Sequence, residues 1–253
     1  MFNYQWSRVI FGLALLVAVV GGQTIGVLAI IVVFIGVLSV GSYRIESNFY
    51  LPSVNQVNTD KKSIVLSFDD GPTPAITPVI LDVLKEFNCE AIFFCIGNKI
   101  KGNEGLLQRM VAEGHIVANH SFSHSYWFDF YSSGRVYDEL KQTNEEIYRA
   151  IGRRSKLFRP PYGVTNPMIA RALKKARLSS IGWNKRSLDT VIKDHQTVLN
   201  RISKQMQPGD IILMHDSISR SPAILKEFLQ NISQTAYKVE RLDKLIDIEC
   251  YEK

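Results

Sequence analysis

Four short runs in this chain are apolar without polar alternation: KSIVLSF at 62–68, AIFFCIG at 91–97, HIVANH at 115–120 and the IILM of GDIILMHD at 209–216. A strand that is apolar at successive positions must be buried on both faces, which is the condition of a parallel sheet covered by helices. Segments of helical period separate the runs. One extends from Thr77, a candidate cap before Pro78, to about Phe87, with Val79, Ile80, Val83 and Leu84 on one side. Others cover Asn103 to Glu113, Ser133 to Ile151, Asn166 to Ala176, Val198 to Gln205 and Pro222 to Ile232. KLF at 156–158 and Ser179 to Trp183 add strands, and a strand-like piece at Tyr237–Val239 precedes a small helix. The spacing predicts an α/β fold, a distorted (β/α) barrel of about seven units, with its chemistry at the C-terminal strand ends.

The N-terminus obeys a different solvent. No charge occurs from Val9 to Val40, and the clearly polar residues there are Gln23, Thr24 and Ser39. A bilayer span needs about 20 apolar residues, so the run is long enough to cross. Gly21-Gly22-Gln23-Thr24 divides it, and either one long tilted helix or a hairpin of two short ones fits. A cleaved signal peptide fits less well, because its apolar stretch is shorter and ends in a small-x-small site. Arg8 and Arg44 flank the run and leave the orientation open. Residues 1–45 are therefore expected to form a membrane anchor, with 9–40 in the lipid. Residues 46–60 are expected to be a linker and 61–249 a catalytic domain.

The 30 Lys and Arg against 24 Asp and Glu give a net charge of +6, spread along the chain without interleaved aromatics, so no nucleic-acid partner is expected. Cys89, Cys95 and Cys250 form no CxxC pair and imply no disulfide framework. The oligomeric state is left open.

Polar residues collect at the predicted strand ends. Asp69 and Asp70 follow the first apolar strand, and two adjacent carboxylates at a buried edge call for a nearby cation. One of them could hold a divalent metal and leave the other as a base. His120 and His124 are four residues apart, and two imidazoles plus a carboxylate make a three-ligand catalytic metal site. His215 ends the IILM strand and needs a partner, for which Asp189 and Asp216 are both available. Arg159 precedes Pro160-Pro161, so its backbone is extended, and next to Asp69 it would keep that carboxylate aimed. His115 reads as a packing residue and His195 as a surface one.

These pieces together resemble the polysaccharide deacetylases of the NodB-homology family, also called carbohydrate esterase family 4. The matching segments are SFDDGP at 67–72, NHSFSH at 119–124, RPPYG at 159–163, the Asp of RSLDT at 186–190 and LMHD at 213–216. The resemblance covers about residues 60–245 and implies a metal-dependent hydrolase that removes N-acetyl groups from chitin-like or peptidoglycan N-acetylglucosamine. O-acetyl esters or another amide are the alternative substrates, and an inactive carbohydrate-binding scaffold is the alternative of another class. By resemblance Asp69 is the base, and Asp70, His120 and His124 are the metal ligands. Arg159 orients the base, His215 is the general acid and Asp189 is its partner. The Tyr162 N–H holds the oxyanion, and Leu213 lines the acetyl pocket. The expected metal is zinc, with cobalt, manganese or nickel as alternatives, and the expected location is the cell membrane with the catalytic domain outside the cytoplasm. The fourth motif departs from the family's Asp-x-x-Asp-Trp, with Arg186 for its first Asp and Thr190 for its Trp. Trp183, Trp127 or Phe128 would then supply a sugar-stacking face.

Overall fold

A computed structural model describes residues 3–252. The strands are β1 (Ser53–Val54), β2 (Ser63–Gly71), β3 (Ile92–Cys95), β4 (Ile116–Asn119), β5 (Leu157–Phe158), β6 (Ser179–Ile181), β7 (Lys185–Arg186), β8 (Ile211–His215) and β9 (Lys238–Val239). Every pairing between them is parallel, in the order β1-β6-β5-β4-β3-β2-β8-β7, with β9 also beside β2. The sheet curls into a half-barrel whose ends, β1 and β7, do not pair among the described residues.

The period of two along each strand sorts residues to the two faces. Ile64, Leu66 and Phe68 of β2, Phe93 of β3, Val117 of β4, and Ile212 and Met214 of β8 face outward into one buried cluster. There they meet α3 (Thr77–Glu86), α4 (Glu104–Ala112), α5 (Ser133–Ile151), α7 (His195–Ser203) and α8 (Ser221–Ser233). The alternate residues Val65, Ile92, Phe94, Ile116, Ala118, Leu157, Ile181 and Ile211 fill the interior. A third cluster joins Phe158 and α5 to α6 (Pro167–Ala176) and to Phe128. Phe128, expected as a possible sugar-stacking ring, is fully buried there and offers no face to a ligand.

Helices form as the spacing predicts, with boundaries shifted by no more than three residues. Ser132 and Asn166 cap α5 and α6 through their side chains, and Gly152 closes α5 in the left-handed conformation. Thr77 does not cap α3. It is the first helical residue, and its Oγ1 donates to Asp216 Oδ2 (2.6 Å) and accepts from the Thr73 N–H (2.7 Å).

The apolar N-terminus is an antiparallel helical pair, α1 (Tyr4–Val20) and α2 (Thr24–Tyr43), turning at Gly21-Gly22, where Gly22 takes φ +68°. Phe11 and Phe34 pack between them at 4.8 Å. By length and composition α2 can cross a membrane; α1 is shorter. Residues 46–60 are not a free linker. Phe49, Leu51 and Val57 are buried, β1 pairs with β6, and the Val57 N–H donates to Gly209 O. The reason is local: the apolar residues among the polar ones pack inward, Phe49 against Gly41 of α2, and Leu51 and Val57 into the buried clusters of the domain.

Phe68 is fully buried and stacks on Phe93 at 5.0 Å. Phe68→Ala is expected to cost about 3–5 kcal/mol. Denaturant unfolding of the full chain measures this, and a loss below about 1 kcal/mol would mean that the outer cluster does not carry the fold.

Candidate active site

The register that places Val65 and Ile211 inside also places Ser67, Asp69, Leu213 and His215 inside, two and four residues further along β2 and β8. Asp69 lies directly beside His215 in the parallel ladder. Arg159 follows β5 two residues after the interior Leu157, and its guanidinium enters the same space. Sequential alternation thus delivers a carboxylate, an imidazole and a guanidinium to one barrel mouth.

Strict alternation would send Asp70 to the opposite face. A register shift between Asp69 and Gly71 in the β2–β3 pairing, with φ +77° at Asp70, prevents this. Both carboxylates therefore approach one imidazole: His120 Nε2 lies 3.5 Å from Asp70 Oδ1 and 3.8 Å from Asp69 Oδ2. His124 returns from the loop after β4, its Nε2 3.3 Å from the same Asp70 oxygen. That loop turns through positive φ at Ser121 and His124. It is pinned by Glu139 of α5, whose carboxylate accepts from Phe122 N (2.9 Å), Ser123 N (2.7 Å) and Ser123 Oγ (2.8 Å).

The ligand atoms of Asp70, His120 and His124 lie within 4.8 Å of one another. The Nδ1 of His120 is 2.8 Å from the Arg159 carbonyl, which can only accept, so Nδ1 carries the proton and a neutral ring turns its Nε2 lone pair toward Asp70. A lone pair facing a carboxylate needs a positive charge between them, either a proton or a metal ion. Burial, with the neighbouring His120, pushes His124 down to about 4 despite the nearby carboxylates. Burial pushes Asp70 up, but His120, with His215 and His124 behind it, more than reverses this and holds the carboxyl below the usual carboxylate range. One carboxylate oxygen and two imidazole nitrogens fit zinc or a similar divalent ion.

Arg159 is wholly buried and every branch of its guanidinium is engaged. Nη1 donates to Asp69 Oδ1 (2.7 Å) and Ser67 Oγ (2.9 Å), Nε to Ile181 O (3.0 Å) and Nη2 to Gly182 O (2.7 Å). On the other side, His215 Nδ1 meets Asp189 Oδ1 at 2.6 Å, and the His215 N–H donates to Asp189 Oδ2 at 2.9 Å. Ser187 and Ser221 donate to the same carboxylate. Burial lowers the His215 pKa, but the Asp189 carboxylate outweighs it and leaves the imidazole above its ordinary value. Asp216, the other candidate partner, binds Thr77 instead, and burial pushes it up to about 7.

Tyr162 takes φ +58° after Pro161; its ring packs edge-on against His124 (4.8 Å) and stacks parallel to Tyr126 (5.9 Å). Trp183 is half-buried against Gly163, where any Cβ would strike its ring, and both Arg159 (5.4 Å) and Arg186 (5.7 Å) approach its face. Arg186 pairs with Leu213 across β7–β8, while Thr190 is exposed. His115 packs on Phe93 and accepts from Ala91 N, and His195 binds Glu227 at the domain's outer side; neither joins the cluster. Sequence reasoning missed Ser67, Ser187, Ser221 and Glu139. Ser67 could have been found from its interior register, whereas nothing local marks Glu139.

A parallel α/β half-barrel with an Asp-His-His cluster flanked by an Arg-Asp pair and an Asp-His pair defines the class. Residues 56–181 match the family model described as polysaccharide deacetylase. The chain is 33% identical over 194 residues to a peptidoglycan-N-acetylmuramic acid deacetylase, PdaA, of Bacillus subtilis, covering 75% of this chain and 73% of that one. It is 31% identical over 207 residues to a peptidoglycan-N-acetylglucosamine deacetylase, PgdA, of Listeria monocytogenes, covering 82% of this chain and 43% of that protein's length. The solved structure of the peptidoglycan deacetylase PdaC from Bacillus subtilis superimposes with a TM-score of 0.69 at 31% identity, covering 74% of this chain and 90% of that one. The chain belongs to the polysaccharide deacetylase family.

If Asp189 raises the basicity of His215, Asp189→Asn is expected to shift the titration of the His215 ring to lower pH. Ring carbon and proton NMR shifts followed against pH measure it, and an unmoved midpoint would remove Asp189 as the cause.

Proposed function

We propose that this chain is a membrane-anchored, metal-dependent hydrolase that removes N-acetyl groups from an N-acetylglucosamine-containing polysaccharide or oligosaccharide and releases acetate. The observation that carries the reading is the convergence of the Asp70-His120-His124 cluster with the hydrogen-bonded Asp69-Arg159 pair on one side and His215-Asp189 on the other. The named activities of the relatives support a glycan substrate for this chain.

Asp70, His120 and His124 would hold the metal, with zinc the best fit to the donors. Bound there, a divalent ion supplies Lewis-acid polarisation and acidifies water at the site. Asp69 takes the proton from the attacking water, and Arg159 keeps its free oxygen aimed by occupying the other. The Tyr162 N–H helps hold the oxyanion as the carbonyl carbon becomes tetrahedral. His215, charged through Asp189, gives its proton to the departing amine, and the products are acetate and the free amino sugar. Leu213, 2% exposed and two residue pairs below the Asp69-His215 level on the same face, closes the floor where the acetyl methyl fits.

The expected outcome of a product assay on acetylated chito-oligosaccharides is acetate with matching free amine; release only from O-acetyl esters would sink the amide reading. Asp69→Asn is expected to keep the metal and lose roughly 10²-fold or more in rate. Asp70→Ala is expected to lose both. Full metal occupancy in Asp70→Ala, measured by elemental analysis, would overturn the ligand assignment.

Helices α1 and α2 span about 25 Å and 30 Å, comparable with the hydrocarbon core. Their large apolar side chains, including Leu13, Val17, Val20, Leu28 and Val32, are exposed, which water does not support. As an inserted hairpin they return the chain to its starting side, and a glycan substrate puts that side outside the cytoplasm. The full chain is expected to stay in the membrane pellet after alkaline carbonate washing, and its recovery in the supernatant would refute the anchor.

A further inference from the structure

We propose that the aromatic loop Tyr126–Phe130 lies in the bilayer interface beside the helical hairpin, so that the rim of the Asp70-His120-His124 cluster rests against the membrane. This inference depends on the hairpin being the anchor described above, and it concerns where the catalytic face points.

The hairpin joins the domain at the C-terminal strand ends. Thr165, in the loop after β5, donates its N–H to Ser42 O (3.0 Å) and accepts from Ser42 Oγ (2.6 Å). Gly182, at the end of β6, is closed over by Asn55 and Ile45, the residues that follow α2. Asp69, Asp70, His120 and Arg159 occupy the same ends of β2, β4 and β5. The helices therefore leave from the catalytic face and not from the opposite one.

The loop after β4 is tied to this junction. Asn166, next to Thr165, donates its Nδ2 to Asp129 O at 2.8 Å. Phe128 is the peg, wholly buried, and around it Tyr126, Trp127 and Phe130 are 86%, 68% and 81% exposed. The one carboxylate of the stretch, Asp129, is half-buried, with its Oδ1 shut off from solvent. Three large aromatic rings held open in water are unfavourable, while rings of Trp and Tyr are favoured at a lipid-water boundary. Thr165 and Asn166 hold the patch to the end of the hairpin whose apolar side chains are exposed, and this attachment makes lipid the cover we assign to it.

A sugar-stacking platform is the competing occupant, and it suits Tyr126, which stacks on Tyr162. It does not account for Trp127 and Phe130, which pair with each other at 6.0 Å and have no ring contact with Tyr162 or His124 among the described residues.

The chain's three tryptophans, Trp6, Trp127 and Trp183, make the test direct. The full-length protein is placed in nanodiscs of phosphatidylcholine brominated in the upper acyl chain, and quenching is compared among wild type, W6F and W127F. Trp6 reports the anchor and Trp127 the loop. Each of the two variants is expected to lose about half of the quenchable emission, as two interfacial rings at similar depth predict. Quenching that vanishes in W6F and is unchanged in W127F overturns the loop proposal and leaves the anchor standing. No quenching in any chain removes the anchor and the proposal together. Trp127 emission that ignores bromine but responds to soluble tri-N-acetylchitotriose assigns the patch to sugar and overturns the proposal.

Discussion

The half-barrel closes around a buried positive charge. Taking a guanidinium out of water is costly unless its donors are satisfied and its charge is paired. Arg159 meets both conditions with groups from β2 and from the end of β6, so it stitches strands that are not neighbours in the sheet. Phe94 lies under its flat face at 4.1 Å. Its carbonyl fixes the tautomer of His120 while its side chain fixes one oxygen of Asp69. One residue thus sets the states of a proposed ligand and of the proposed base. A lysine could carry the charge but could not fork to four acceptors, so the barrel mouth is specific for arginine.

Much of this was legible in the chain. The doubly apolar runs gave parallel strands because burial on both faces leaves no other sheet arrangement. Asp69, Arg159 and His215 fall where they were expected because each lies two or four residues from an apolar residue on the interior register. Their shared face follows from a period of two and needs no knowledge of the turns between strands.

What the sequence hid depended on backbone geometry and long-range partners. The shift that turns Asp70 toward His120 inserts no glycine at the bulged position; Asp70 itself adopts φ +77°, which its composition does not announce. Residues 46–60 looked polar enough for a linker, but Asn48, Asn55 and Ser53 spend their side chains on the chain itself; Asn48 Oδ1, for one, accepts from the Ser53 N–H (2.8 Å). Thr77 looked like a cap because the residue type is right, but a buried Asp216 139 residues away claims its hydroxyl. Asp189 and Asp216 were equal partners for His215 on paper. Adjacent positions along β8 face opposite sides, and this separates them: His215 is interior, so Asp216 is turned away from it toward α3.

The two pairs proposed to handle protons are built independently. Asp189 is held by Ser187, Ser221 and the His215 backbone, while Arg220 of the same region donates to the Asp189 carbonyl. Asp69 is held by Arg159 from across the barrel. They share no side-chain hydrogen bond; what relates them is the backbone register that sets Asp69 beside His215. Neighbouring strands lie about 4.8 Å apart, and a sheet with helices packed on its outer face does not let that spacing drift. The distance between the proposed base and acid is therefore a property of the β2–β8 ladder, and the loops are left to vary what lies above it: the Glu139-pinned turn that carries His124, the aromatic rings beyond it, and the Arg186 side chain beside Trp183.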